Sequence, residues 1–211
     1  MVVGYHLIIT AYGFWLPNDP RGSWSDFVGS WELLRFGPAT KTDCRQSVAS
    51  RPHDRQLRLE AKKSLKYPDV YFTGVQARQI GMSFHAWTQQ RGATIWACSI
   101  MPEHVHLVIA RHRYKIEQVA TLLKGASTRA LTAAGLHPLA RFAGANEQPP
   151  KMWARGEWKV FLDDTADLRR AIRYVEQNPA KEGKPEQHWQ CVTEFEGAAI
   201  GATERFPSGR G

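Results

Sequence analysis

The sequence predicts an α+β fold with a βαββαβ core, and three observations lead there. Short β-branched runs alternate with longer segments of helical period. Two of those runs, 93–100 and 104–110, are separated only by Met101, Pro102 and Glu103, a spacing that favours an antiparallel pair. A further helical pattern follows the last strand. This order is that of a ferredoxin-like fold carrying an insertion after strand one and an added C-terminal helix.

The first strand is Tyr5 to Tyr12 (YHLIITAY), ended by Gly13. Gly and Pro crowd GFWLPNDPRGSW, 13–24, which must turn. Within the insertion 13–72, residues 54–66 place Leu57, Ala61 and Leu65 at helical spacing among Arg and Lys, an amphipathic helix with a basic face. From Gly74 to Gln90, Val75, Ile80, Phe84 and Trp87 recur as a core stripe between an N-cap at Thr73 and a stop at Gly92. After the strand pair, Ile116, Val119, Leu122, Leu123, Ala126, Ala130 and Leu131 line a second long helix stopping near Gly135. Residues 136–157, rich in Pro, Gly and Ala, loop out, and EWKVFL, 157–162, is the last strand. Asp163, Asp164 or Thr165 then caps a helix through ADLRRAIRYVEQN, which Pro179 is expected to close. The reading divides the chain into a catalytic or binding domain, 1–183, and an extension, 184–211.

Composition narrows the function. With 28 Lys and Arg against 20 Asp and Glu, the net charge is +8, which favours a polyanionic partner over an acidic protein surface. Cys44, Cys98 and Cys191 stand far apart without a CxxC, arguing against a disulfide framework or a cysteine zinc site and for a reducing cytoplasm. No signal segment or membrane span is expected.

The chemistry centres on PEHVHLVIA, 102–110. Strand side chains alternate, so His104, His106 and Val108 share one face and Val105, Leu107 and Ile109 the other. The two imidazoles can converge on one divalent ion from Cβ atoms roughly 7 Å apart. Eight histidines in 211 residues give about 0.3 HxH triplets by chance, so spacing alone leaves metal binding and simple packing both open. On the last helix Tyr174 and Asn178 share a face, with Arg170 and Arg173 close by, while Leu168, Ala171, Ile172 and Val175 already supply an apolar face. Packing at the core edge for Tyr174 and helix termination for Asn178 are the alternatives to a chemical role.

PEHVHLVIA, then WARGEWKVF with Trp153, Arg155 and Trp158, then the Tyr-x-x-x-Asn-Pro-x-Lys-x-Gly from Tyr174 to Gly183 together resemble the single-tyrosine HUH transposases of insertion sequences. Their REP-associated tyrosine relatives are the most similar in motif, and the resemblance covers strand one and roughly 75–183. It implies that His104 and His106, with Asn178 by family position, hold Mg²⁺ or Mn²⁺ against a scissile phosphate of single-stranded DNA, at hairpin or repeat elements. It further implies attack by Tyr174 to give a 5′-phosphotyrosine and a free 3′-OH. A phenol of pKa near 10 needs a cation nearby to become a nucleophile, and two imidazoles with an amide oxygen suit Mn²⁺ better than Mg²⁺.

Candidate phosphate contacts are Arg170 and Arg173, Lys124 and Arg129 on the preceding helix, the Arg111, Arg113 and Lys115 cluster after the histidine strand, and Arg155. Trp15, Trp24, Trp153 and Trp158 flank Gly, Pro or Arg and could stack on unpaired bases, whereas burial is the favoured reading for Trp158, Trp87 and Trp96. Two other functions compete: a histidine-triad nucleotide hydrolase, which requires a third histidine where Val108 stands, and a DNA-binding protein of the same fold without cleavage. A monomer is expected, with a homodimer as the alternative.

Overall fold

The structure, a computed structural model, describes residues 2–14, 16, 31–37, 54–145 and 148–197. Trp15, Trp24 and Cys44 fall outside them. The elements run β1 (Gly4–Thr10), α1 (Trp31–Leu34), α2 (Arg55–Lys63), α3 (Gly74–Arg91), β2 (Ile95–Ile100), β3 (His104–Ala110), α4 (Ile116–Ala133), β4 (Trp158–Leu162) and α5 (Thr165–Lys181), with a 3-10 turn at Ala140–Phe142. The four strands form one antiparallel sheet in the order β2-β3-β1-β4, the ferredoxin-like arrangement expected.

Alternation along the strands sorts the two faces. Leu7, Ile9, Val105, Leu107 and Ile109 enter the main core with Ile80, Phe84 and Trp87 of α3 and Ile116, Val119 and Leu123 of α4. Ala97, Val108 and Leu162 enter a smaller core on the other face, closed by Leu168, Ala171 and Val175 of α5. Each such leucine or valine contributes on the order of 2 kcal/mol by leaving water. Local signals agree with this packing. Thr73 and Gln76 form a capping box at α3, and the Asp164 carboxylate accepts from Asp167 N at 2.7 Å to start α5.

Two expectations are corrected. Val75 is 63% exposed, because it lies in the first turn of α3, before the helix meets the sheet. Pro179 does not close α5, which continues to Lys181. Proline forfeits one N–H, but its ring is buried, and the helix gives way at Gly183, whose φ of 66° is left-handed. Lys184 N then donates back to Pro179 O at 2.9 Å, capping the last turn.

The inserted segment makes its own small core from Leu16, Leu33, Phe36 and Ala61. Lys62 Nζ lies 2.8 Å from Asp69 and 2.7 Å from the Tyr71 hydroxyl within the insertion, and 3.7 Å from Glu103, the residue before His104, which ties the insertion to the domain.

Candidate active site

The register places His104 opposite Thr10, and His106 between Ile8 of β1 and Ser99 of β2, on the α5 face. Because α5 crosses that face, Tyr174 meets the histidines: its ring centroid is 5.6 Å from that of His106, while the rings of His104 and His106 are 4.8 Å apart and nearly perpendicular. His106 is buried, and Tyr174 is 44% exposed, so its hydroxyl-bearing ring bridges the sheet and solvent. The structure thus brings together the histidine pair and the tyrosine singled out in sequence.

Asn178 is buried at the same end of α5, and its Nδ2 donates to Ser99 Oγ at 3.4 Å, leaving Oδ1 as the lone-pair end of the amide. Asn178 is therefore an internal helix residue and not the terminator.

Sequence reasoning assigned no role to four residues here. His6 of β1 stacks on His106 with centroids 5.2 Å apart, shares a hydrogen bond of 2.9 Å between its Nε2 and His106 Nδ1, and touches the Tyr174 ring at 5.6 Å. Its place on a strand was legible, but its neighbourhood depends on the β1–β3 register, which no local pattern supplies. Lys181 and Glu182 lie beyond Pro179. Lys181 Nζ stands 4.8 Å over the Tyr174 ring, and Glu182 Oε1 is 3.9 Å from His104 Nε2. Phe14 packs on His104 from the start of the insertion, at 5.2 Å.

Burial sets the electrostatics. It lowers the His6 pKa to about 4 and drives that of His106 well below the usual imidazole value, with His104 and His6 adding to the effect on His106. Burial and, second, the Glu182 carboxylate raise the Tyr174 phenol above its ordinary value. Unaided, the phenol stays protonated at neutral pH.

Among the described residues no three His, Cys, Asp or Glu side chains are grouped at metal-binding spacing. By side-chain chemistry, the imidazoles of His104 and His106 and the Asn178 amide would offer mixed nitrogen and oxygen donors, a combination that fits a borderline divalent ion such as Mn²⁺.

The basic residues separate by position. Arg173 is exposed beside Tyr174, and Arg170 is exposed with an ion pair to Asp167. Arg129 is exposed on α4. Arg111, Arg113 and Lys115 are exposed past the far end of β3, roughly 20 Å along the strand from His104. Lys124 is already engaged, donating to the carbonyls of Ala154 (3.1 Å) and Gly156. Trp153 is buried against Phe72 and donates to Ser127 Oγ at 3.1 Å, so it anchors and does not stack on bases. With Trp153 and Lys124 fixing the loop beside Thr10, Arg155 is presented to solvent at the His104 end of the sheet. Trp158 and Trp96 are half-buried and Trp87 is buried.

A ferredoxin-like sheet bearing paired histidines under a helix-borne tyrosine defines an α+β protein with one histidine–tyrosine centre. The family model for IS200-like transposases matches residues 63–178, more than half of the chain, and the chain belongs to that family. Among solved structures, one of a REP-associated tyrosine transposase bound to a REP hairpin is similar at 13% identity over 86% of this chain and 68% of that one, with a TM-score of 0.44. A structure described as a transposase from Deinococcus radiodurans R1 is similar at 15% identity over 84% of this chain and 91% of that one, with a TM-score of 0.36. No curated protein matches the chain. Among the described residues no helix is long and apolar enough to cross a membrane.

Proposed function

We propose that this transposase nicks and rejoins single-stranded DNA at hairpin or repeat elements, with Tyr174 as nucleophile and His104, His106 and Asn178 holding Mg²⁺ or Mn²⁺. The observation that carries the reading is the placement of the half-exposed Tyr174 ring 5.6 Å from His106, beside the His104–His106 pair. A bound divalent cation supplies charge neutralisation at the phosphoryl oxygens and at the developing phenolate.

The Tyr174 oxygen attacks phosphorus, the bond from phosphorus to the 3′ oxygen breaks, and the phenolic proton is lost as the departing 3′ oxygen takes one up. The product is a 5′-phosphotyrosine and a free 3′-OH. Because the phosphoester is retained, a second 3′-OH can reverse the attack without ATP. Arg173 and Arg155, exposed at either side of the centre, are placed to contact the strand's phosphates. We take the nucleophile to act in cis, on a monomer, a reading supported by the Gln187 side chain beyond α5, which bonds the Ile100 backbone.

The test mixes the protein, Tyr174→Phe and His106→Ala with labelled single-stranded hairpin DNA from the flanks of its own gene, in Mn²⁺ or EDTA. A denaturation-resistant adduct is expected only with wild type and Mn²⁺. Retained hairpin binding with no adduct under any condition would instead support a DNA-binding protein without cleavage.

A further inference from the structure

His6 is absent from the HxH strand and from the tyrosine helix, yet its ring is hydrogen-bonded to that of His106. The facing atoms are His6 Nε2 and His106 Nδ1, 2.9 Å apart, on rings inclined by only 29°. One proton alone fits between two imidazole nitrogens at that distance, which leaves two arrangements. If His6 donates, His106 Nδ1 is the acceptor and the His106 proton must sit on Nε2, where it blocks metal ligation. If His106 donates from Nδ1, its Nε2 carries a lone pair and can ligate. Since Nδ1 is occupied by His6 in either case, Nε2 is the nitrogen left to His106 for an ion.

We infer that His6 is a positioning residue that accepts the Nδ1–H of His106, holding His106 in the tautomer whose Nε2 is a free lone-pair donor. This rests on the proposed function in taking His106 as a ligand. Ligating histidines ordinarily give their second ring N–H to a carboxylate or a backbone carbonyl, and such partners fix both tautomer and ring plane. Here a strand neighbour supplies an imidazole in that place. The role requires His6 to hold its own proton on Nδ1, with Nε2 as acceptor. Its ring also contacts Tyr174 at 5.6 Å, so one side chain from β1 orients the ligand and abuts the nucleophile.

The experiment reads the tautomer directly. Long-range ¹H–¹⁵N spectra of the metal-free full chain at neutral pH are expected to show His106 protonated on Nδ1 with a lone pair on Nε2. His106 protonated on Nε2 overturns the inference, and this measurement needs no variant to fold. Mn²⁺ titration followed by electron paramagnetic resonance supplies a second readout. His6→Phe keeps a flat ring against His106 and Tyr174 but removes the acceptor, and a 10- to 100-fold loss of Mn²⁺ affinity is expected. His6→Gln, whose amide oxygen can accept, should recover most of it. Unchanged affinity in His6→Phe, with affinity lost in His106→Ala, overturns the positioning role and leaves the metal reading standing. A wild type with the Nδ1–H tautomer but no Mn²⁺ binding upholds the hydrogen bond and overturns the metal reading.

Discussion

Gln187 grips the backbone of Ile100 with both ends of its amide: Ile100 N donates to Oε1 at 2.8 Å, and Nε2 donates to Ile100 O at 3.0 Å. The side chain therefore stands where a neighbouring strand would on the β2 edge, ending it against further pairing. Trp189 Nε1 donates to the same Oε1 at 3.1 Å, Val192 bridges to Ile95, and Cys191 is buried in the main core. The described part of the extension is thus a strap. Replacing Gln187 by Ala removes two backbone hydrogen bonds at a partly wet edge, so a loss of about 1–2 kcal/mol is expected, a fall in Tm of roughly 3–6 °C by calorimetry.

The strap bears on how the centre is assembled. It fastens the chain immediately after α5 to the sheet that carries His104 and His106, which opposes lending Tyr174 to another copy. Mixing Tyr174→Phe with His106→Ala should therefore regenerate no covalent adduct, whereas an exchanged helix would yield one intact centre per mixed pair. Appearance of adduct in the mixture rejects the cis arrangement.

Much of this was legible in the sequence because it is local. Strand alternation put His104 and His106 on one face, and i to i+4 spacing put Tyr174 with Asn178. What was lost depends on long-range geometry. His6 joins the centre through a register between strands about a hundred residues apart. Reading Pro179 as a terminator left Lys181 and Glu182 without a role, although a helix can carry a proline whose ring is buried and end two residues later, ahead of a left-handed glycine. Lys124 and Trp153 looked like nucleic-acid contacts because residue type reports charge and aromaticity and does not report which carbonyl or hydroxyl lies in reach.

Lys124 and Arg173 should separate cleanly. Burial lowers the Lys124 pKa, and its ammonium already serves two carbonyls, so Lys124→Met should lower stability by about 1–3 kcal/mol and leave the salt dependence of single-stranded DNA binding unchanged. Arg173→Ala should do the reverse, reducing the slope of log Kobs against log salt by about 0.7 with little change in Tm. A reduced slope in Lys124→Met would make that lysine a phosphate contact after all.

Acid sensitivity is expected from His137, at a distance from the active centre. Its Nδ1 accepts from Leu139 N at 3.2 Å, the side chain is buried, and burial lowers its pKa from 6.5. A histidine depressed in the fold is protonated first in the unfolded chain, so its contribution is whole above about pH 6.5 and is lost as pH falls below it. His137→Asn keeps an acceptor for Leu139 N and removes the titration. In EDTA, the Tm of wild type relative to this variant should drop between pH 7.5 and 5.5, and a constant difference would falsify the assignment.

Gly81 offers a sign test of the strap itself. In the interior of α3, glycine to alanine ordinarily stabilises by about 0.5–1 kcal/mol, since alanine loses less backbone entropy on folding. Here a Cβ on Gly81 would lie 2.4 Å from Trp189 Cε3 and 2.7 Å from Cζ3, closer than carbon atoms approach. The indole must move, and it is held by its hydrogen bond to the Gln187 side chain that grips Ile100. The contact should outweigh the propensity, so Gly81→Ala is expected to lower Tm in the wild type. With Trp189→Ala the obstruction is gone, and the same Gly81→Ala change should raise Tm relative to Trp189→Ala alone, a coupling that a double-mutant cycle reads directly. A rise in Tm in both backgrounds would mean that Trp189 is not seated on Gly81 in solution and that the strap is looser than its hydrogen bonds indicate.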